Sequence, residues 1–173
     1  TSARYVVDED VWTGPDGERV DIQIFREAQH DQNVDRFIDA VKSSLTYYTA
    51  HFGPYQFDQF RILEFPRYAS FAQSFPNTVP FSESFAWLGN FSNPDDNDYA
   101  FTVTAHEVAH QWWGHQIQPS ATRGAIQLSE TMAEYSSLMV TKARYGEAAM
   151  QPTLKYKLDL YLRRRARESS FEK

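Results

Sequence analysis

The stretch HEVAH, residues 106–110, decides how the rest of the chain is interpreted. Residues four apart stand on the same face of an α-helix, so His106 and His110 point the same way and are spaced to share one metal ion. Glu107 lies about 100° round the helix, at the edge of that site. There it is placed to take a proton from a metal-bound water rather than to bind the metal.

The helix predicted for this stretch runs from Tyr99 to Trp113, and Glu107 is the one formally charged residue in it. Asp98 is a suitable N-cap and Gly114 a suitable terminator. Two histidines in an otherwise apolar helix require partners, because an unpaired buried polar group costs about 1–3 kcal/mol. The motif taken alone leaves open a chance match inside an ordinary core helix, and the surrounding sequence decides between the two interpretations.

The composition fits one compact domain and limits the partners and metal ligands that it could have. The chain has 173 residues, of which 42% are hydrophobic, a formal charge of -6 and no cysteine. It has no basic stripe interleaved with aromatic residues, so we expect no nucleic-acid partner. Without thiolates, a metal must be held by histidines and carboxylates. The sequence also lacks a signal peptide and any apolar run near the roughly 20 residues that span a bilayer.

The amino-terminal part is predicted to form a β-hairpin followed by a helix. Arg4–Val7 and Val20–Phe25 carry β-branched and aromatic residues, and the sequence GPDG at 14–17 is a turn signal between them. From Asp31 to Phe52, apolar residues recur at helical spacing, and the Gly-Pro pair that follows ends the helix.

Two further extended segments are predicted before the HEVAH helix. Phe57–Phe65 is rich in Phe, Ile and Leu and is closed by a proline. Thr78–Ser84 contains Pro80, which cannot donate to a sheet, so we predict an edge strand. An edge strand beside a catalytic helix can pair with an extended peptide. Glu83 lies in this strand, and from the residues alone a solvated edge carboxylate is the simpler interpretation of it.

A second helix that carries glutamates is predicted over Glu130–Arg144, with Ser129 as its N-cap. At 100° per residue its polar side chains form one narrow stripe, which consists of Glu130, Glu134, Ser137 and Thr141. A surface helix normally has a wide polar face, so a thin stripe favours a helix that faces a polar site inside the protein. The alternative is a partly exposed helix with two ordinary surface glutamates.

A last helix is predicted over Thr153–Arg167, with an apolar face formed by Leu154, Leu158, Tyr161 and Leu162. We interpret the whole chain, 1–173, as a single domain. Residues 1–97 are predicted to be mainly sheet with one helix, and 98–173 to be a helical part that bears zinc. Because the chain starts without Met and ends on a charged helix, we expect it to be a piece of a larger protein.

These features together resemble the zinc aminopeptidase family, the gluzincins that include aminopeptidase N and the leukotriene hydrolase, over roughly residues 57–168. HEVAHQWWG at 106–114 is similar to the family's HExxHxWxG helix, and LSETMAEY at 128–135 to its LNEGFAxY segment. PFSES at 80–84 occupies the place of its GAMEN stretch. A weaker resemblance connects the chain to peptidase-like domains fused to ABC-type permeases in bacteria.

The resemblance implies one Zn²⁺ per chain, bound by His106, His110 and Glu130, with the fourth position left for water. Glu107 would be the general base that activates this water and later protonates the leaving amine. Zinc would lower the pKa of the water towards about 7 and meet the developing oxyanion. The implied activity is hydrolysis of amino-terminal peptide bonds.

Two more glutamates receive roles from the resemblance. Glu83 would hold the free α-amine of a peptide substrate, which makes the enzyme an exopeptidase. Glu134 would orient a zinc-bound histidine from behind. The parent protein would then combine this chain with a remaining catalytic part, or with a permease part in a bacterial membrane.

The sequence departs from the family in three places. Nineteen residues separate His110 from Glu130, one more than in the family, and we expect the loop 115–127 to absorb the extra residue. Ser129, at the family's position, is not a credible ligand. The GAMEN stretch keeps only its glutamate. The tyrosine that stabilises the oxyanion in the family lies further downstream than the four tyrosines that follow Glu130 in this chain, namely Tyr135, Tyr145, Tyr156 and Tyr161.

We therefore predict an α+β fold, the zinc-bearing lobe of a thermolysin-like metallopeptidase, with a small mixed sheet packed on helices and an incomplete carboxyl-terminal end. On its own this piece is expected to be a poor catalyst. We expect it to expose apolar surface around the Glu130 helix and the last helix, which favours self-association. The competing hypothesis is a zinc-containing sensor or substrate-capture domain of a membrane transporter with little peptidase activity.

Overall fold

The computed structural model describes residues 3–93 and 96–167, and its centre is a four-stranded sheet. The strands are β1 (Val6–Thr13), β2 (Arg19–Arg26), β3 (Gln59–Phe65) and β4 (Thr78–Ser82), side by side in that order. β1 and β2 are antiparallel, whereas β2, β3 and β4 run parallel to one another. The predicted small mixed sheet is thus confirmed.

Four α-helices accompany the sheet in the described part of the chain: α1 (Val34–Phe52), α2 (Tyr99–Ala109), α3 (Met132–Tyr145) and α4 (Gln151–Arg165). Two π-helical turns, Glu83–Trp87 and Gln127–Thr131, and a 3₁₀ turn, Glu147–Met150, connect them. The α+β class is confirmed. In the described ranges, none of the helices is both long and apolar enough to cross a bilayer.

The first strand begins later and runs further than the sequence indicated, to Thr13 rather than Val7. Asp and Glu are depleted in β-strands, so the composition of this segment did not predict a strand. Here the two aspartates are paired with cations: Asp8 lies 2.5 Å from Nε of Arg26, and Asp10 lies 2.6 Å from Nζ of Lys42. Tertiary ion pairs therefore stabilise a strand that its local composition does not predict.

Helix α1 supplies the layer between the sheet and α2, the helix that carries HEVAH. Its face towards the sheet buries Phe37, Val41 and Leu45 completely, as the helical spacing predicted. Tyr48 is also fully buried, and its hydroxyl donates to the carbonyl of Ala105 on α2 at 2.9 Å. One continuous core consequently joins the sheet, α1 and α2.

The outer edge of β4 is covered by residues 71–75, which we call the edge segment. The amide of Gln73 donates to the carbonyl of Pro80 at 3.2 Å, and the amide of Ser82 donates to the carbonyl of Phe71 at 3.0 Å. β4 is the last strand of the sheet, as predicted for an edge strand, but its outer side is covered because the chain folds back in a tight turn. The strand also ends at Ser82, where the π-helical turn from Glu83 begins.

Helix α4 presents much of its apolar face to solvent. The four residues of the predicted apolar face are between 39% and 58% exposed: Leu154, Leu158, Tyr161 and Leu162. Near the Glu130 turn, Ile126 is 73% exposed and Tyr135 is 57% exposed. Uncovered apolar surface at these two places agrees with the sequence-based expectation.

Candidate metal centre

Helix α2 presents both motif histidines to one side. The carboxylate of Asp98 caps its start by accepting the amide of Phe101 at 3.0 Å. The helix ends at Ala109 rather than at Trp113, but His110 keeps helical dihedral angles, with φ -61° and ψ -19°. Its amide donates to the carbonyl of His106 at 3.3 Å, so the two rings remain one turn apart.

The three predicted zinc ligands meet at one point. Nε2 of His106 and Nε2 of His110 are 3.1 Å apart. Glu130 places one carboxylate oxygen 3.4 Å from the first nitrogen and the other 3.6 Å from the second. A tetrahedral zinc ion with bonds of about 2.0–2.1 Å separates its ligand atoms by roughly 3.3 Å. The donor set therefore suits a single zinc ion in both chemistry and spacing.

His110 is oriented by the main chain. Its Nδ1–H donates to the carbonyl of Trp113 at 2.9 Å, which leaves Nε2 as the atom available to a metal. The indole of Trp113 donates in turn to the hydroxyl of Ser136 on α3 at 3.1 Å. Trp113 has no role that its residue type predicts, and its position three residues after the second histidine is the available signal.

Glu130 reaches the histidines from a π-helical turn. This turn, Gln127–Thr131, precedes α3, so Ser129 lies inside the helical segment and is not its N-cap. A π-helical turn takes up one residue more than an α-turn and is frequent at functional sites. We infer that the extra residue between His110 and Glu130 is accommodated in this turn, rather than in the loop before it.

Glu134 lies behind the first histidine. Its Oε2 is 3.4 Å from Nδ1 of His106 and 2.8 Å from Nζ of Lys157 on α4. Nδ1 of His106 is buried and makes no well-formed hydrogen bond within the described residues. Glu134 thus lies next to His106, and its role in orienting that histidine stays a prediction. Lys157 was missed, since no sequence spacing connects the two helices.

Glu107 is the buried carboxylate of the site. It is 7% exposed, and burial raises its pKa to about 7 in the metal-free protein, against the opposing effect of His106. Its backbone carbonyl accepts the hydroxyl of Ser74 from the edge segment at 2.9 Å. A cavity of about 220 Å³ opens over Glu107 and the three ligands, with residues 72–74 of the edge segment on its other side.

The charges around the ligands favour one bound proton when metal is absent. Burial alone would lower the pKa of His106, but its contacts with Glu130 and Glu134 outweigh burial and raise the pKa to about 9. Burial lowers the pKa of His110. Contact with His106 lowers the pKa of Glu130. A metal ion at this position would therefore displace a proton.

The structure does not bring Glu83 to this cavity. The π-helical turn that follows β4 directs Glu83 to the end of β3, where its carboxylate accepts the amide of Arg67 at 3.1 Å. There it lies beside Glu64, which is ion-paired with His30. The side of the cavity where an amine-binding residue was expected is formed instead by the edge segment.

Comparison with known proteins places this site in a family. Residues 36–171 match the profile described as the peptidase family M1 domain. Over 81 residues the chain is 30% identical to "Probable aminopeptidase 1" of Sulfurisphaera tokodaii, a match that covers 46% of this chain and 10% of the relative.

The fold has solved counterparts as well. The chain superposes with a TM-score of 0.66 on aminopeptidase A of Legionella pneumophila, solved in complex with aspartic acid, at 17% identity. The superposition covers 82% of this chain and 17% of that protein, so the chain spans a small part of both relatives. With a family match over most of its length, the chain belongs to peptidase family M1.

Proposed function

We propose that the parent of this chain is a zinc-dependent aminopeptidase that hydrolyses amino-terminal peptide bonds. The observation that carries the proposal is the convergence of His106, His110 and Glu130 beside the buried carboxylate of Glu107. Membership of the M1 family supports peptide hydrolysis. The names of the two relatives support the amino-terminal preference.

Each residue of the site has a defined task in this proposal. A zinc ion at the three ligands would polarise the substrate carbonyl and lower the pKa of water. Glu107 accepts the proton of the attacking water and returns it to the leaving amine. With a cation held by the three ligands, Glu107 would stay ionised at neutral pH, against the effect of its burial.

The edge segment is suited to align the substrate. Phe71, Gln73 and Phe75 direct backbone groups towards β4 and its turn. In an antiparallel ladder the residues between them direct their N–H and C=O groups the other way, so Ala72 offers its groups to an extended peptide. The backbone of Ser74 instead forms hydrogen bonds with Glu107 and His115. Since residues 72–74 line the cavity, such a peptide would pass over the metal ligands.

A zinc-containing sensor or substrate-capture domain is the weaker alternative. A purely structural metal site is closed by four protein ligands, whereas this one brings together two histidines and one glutamate. A binding domain also has no use for a buried carboxylate in the place of Glu107, because a buried charge without a task costs stability.

Turnover of aminoacyl-aminomethylcoumarin substrates by the full-length parent tests the proposal. We expect activity that a chelator removes and zinc restores, with one zinc per chain by elemental analysis. An N-acetylated substrate is expected to remain intact. Its cleavage would disprove the amino-terminal preference alone, whereas chelator-resistant activity would disprove the zinc mechanism.

The Glu107→Gln variant tests the proposed base. Zinc content should be unchanged, because Glu107 is not a ligand, and kcat should fall at least about 10²-fold. Glu147→Gln, which alters an exposed glutamate, is the matched control and should be neutral. Activity retained by Glu107→Gln would remove this residue from the mechanism.

A further inference from the structure

We propose that Lys157 is a positioning residue of the metal centre, which holds the carboxylate of Glu134 against His106 and so fixes the ring of a metal ligand. The inference rests on the proposed metal site. It concerns a residue on α4, a helix that supplies none of the three ligands.

A single oxygen atom connects the three side chains. Oε2 of Glu134 lies 2.8 Å from Nζ of Lys157 and 3.4 Å from Nδ1 of His106. The side chain of Glu134 is 32% exposed and has several rotatable bonds. Without the ammonium group it would be free to turn towards water and gain rotamer entropy. The position of this oxygen therefore depends on Lys157.

The position of that oxygen matters because of the tautomer of His106. A histidine presents Nε2 to a metal when its proton is on Nδ1, and an acceptor at Nδ1 stabilises this form. Nδ1 of His106 is buried, and among the described residues Glu134 is the acceptor that faces it.

The two histidines therefore depend on different kinds of support. Nδ1 of His110 is held by a backbone carbonyl, that of Trp113, which cannot rotate away. Nδ1 of His106 faces a flexible side chain from another helix, and that side chain needs a partner of its own. Lys157 supplies the partner.

The first half of α4 is held close to His106. The hydroxyl of Thr153 donates to Asn97 at 2.6 Å, and the ring of Tyr156 packs edge-on against Tyr99 with 5.9 Å between centroids. A cavity of about 220 Å³, lined by both His106 and Lys157, lies between α4 and α2. These contacts set the distance over which the Lys157 ammonium reaches Glu134.

The test is a double-mutant cycle read out as zinc affinity by competition with a chelator. We expect Lys157→Met to weaken zinc binding at least about tenfold, the lower end of the range for residues that orient a metal ligand. In the Glu134→Gln background the same change should alter affinity by less than about twofold. Direct repulsion between Lys157 and zinc is present in both backgrounds, so it does not produce this difference.

Controls separate positioning from general damage. Lys155→Met alters an exposed lysine of the same helix and should leave zinc affinity unchanged. Lys157→Arg keeps the cation and should restore affinity to within about threefold of the wild type. Lys157 is 41% exposed, so Lys157→Met is expected to fold, and Lys157→Gln gives the same test if it does not.

Two results would overturn the inference: no loss of affinity in Lys157→Met, or an equal loss in both backgrounds. Either would leave the proposed metal site intact. A wild-type protein that binds no zinc would instead disprove the proposed function, so the two failures are distinguishable.

Discussion

The proposed metal centre joins two regions of the molecule that are packed to different degrees. Its histidines come from α2, where Ala105, Val108 and Ala109 are fully buried and Glu107 is nearly so. Its third ligand, Glu130, comes from a π-helical turn that contains no buried residue, and the Glu130 side chain is 56% exposed. The two histidines are therefore fixed by close packing, whereas the glutamate is open to solvent.

The difference indicates a division of tasks. A close-packed helix holds its side chains in defined rotamers, so the histidine pair is set before any metal binds. The open turn leaves room for substrate and solvent at the cavity, and α3, which follows it, meets the largely exposed α4 through Glu134 and Lys157. We expect changes on the α2 side to affect folding and changes on the α4 side to be tolerated.

The largest effect is expected from Trp112, which lies two residues after His110. It is 1% exposed, packs against the rings of Tyr48 and Tyr55, and donates from its indole to the carbonyl of Gly53 at 3.0 Å. Trp112→Ala should lower the free energy of unfolding by about 3–5 kcal/mol, measured by urea denaturation. A loss below about 1 kcal/mol would show that the α2 side is not the rigid half.

The next effect concerns pH. Because the pKa of His106 is raised from 6.5 to about 9 on folding, its stabilisation is present below pH 6.5 and is lost as pH rises through 9. The metal-free chain should lose on the order of 2 kcal/mol of unfolding free energy over that interval. Zinc-loaded protein should lack this slope, since the metal replaces the proton. The same pH dependence of the unfolding free energy in the metal-free and zinc-loaded protein would contradict the assignment of this effect to His106.

A smaller effect is expected where α2 holds the edge segment. Gln111 is fully buried; its amide donates to the hydroxyl of Ser74 at 2.7 Å and the carbonyl of Phe75 at 2.9 Å, and its oxygen accepts the amide of Asn77 at 2.9 Å. Gln111→Met should cost about 1–2 kcal/mol and speed amide exchange in residues 71–75. Gln118→Met, which alters an exposed glutamine, is the control. Equal amide-exchange rates in residues 71–75 of the two variants would show that Gln111 does not hold the edge segment.

The smallest effect is expected on α4. Leu158 is 57% exposed, so Leu158→Ser should change the free energy of unfolding by less than about 0.5 kcal/mol. If the apolar face drives self-association, the same variant should shift the sedimentation profile towards monomer. A destabilisation above about 1 kcal/mol would place Leu158 in a packed interface and remove the contrast between the two sides.

Local patterns predicted the parts of the molecule that depend on local geometry. The spacing of His106 and His110 fixes their common face in any α-helix, so the histidine pair was predictable even though the helix ends earlier than expected. The hairpin and α1 followed from turn residues and helical periodicity. Glu130 was identified by a resemblance of sequence, and the structure brings it within reach of both histidines.

The features that were not predicted depend on contacts between segments that lie far apart in the sequence. The cover over β4 depends on hydrogen bonds between Gln73 and Pro80, which follow from how the chain folds back and from no periodic pattern. Glu83 lies away from the cavity because β4 ends at Ser82, one residue before it. Lys157 meets Glu134 only because α4 packs beside α2, a relation between distant helices.

The π-helical turn Gln127–Thr131 has a consequence for how such chains are recognised. Because the turn takes up an additional residue, α3 still buries Ala133 and Val140. The number of residues between the second histidine and the glutamate can then differ by one among functional relatives. A search pattern that fixes this number would discard the present chain, whereas one that allows a single extra residue would retain it.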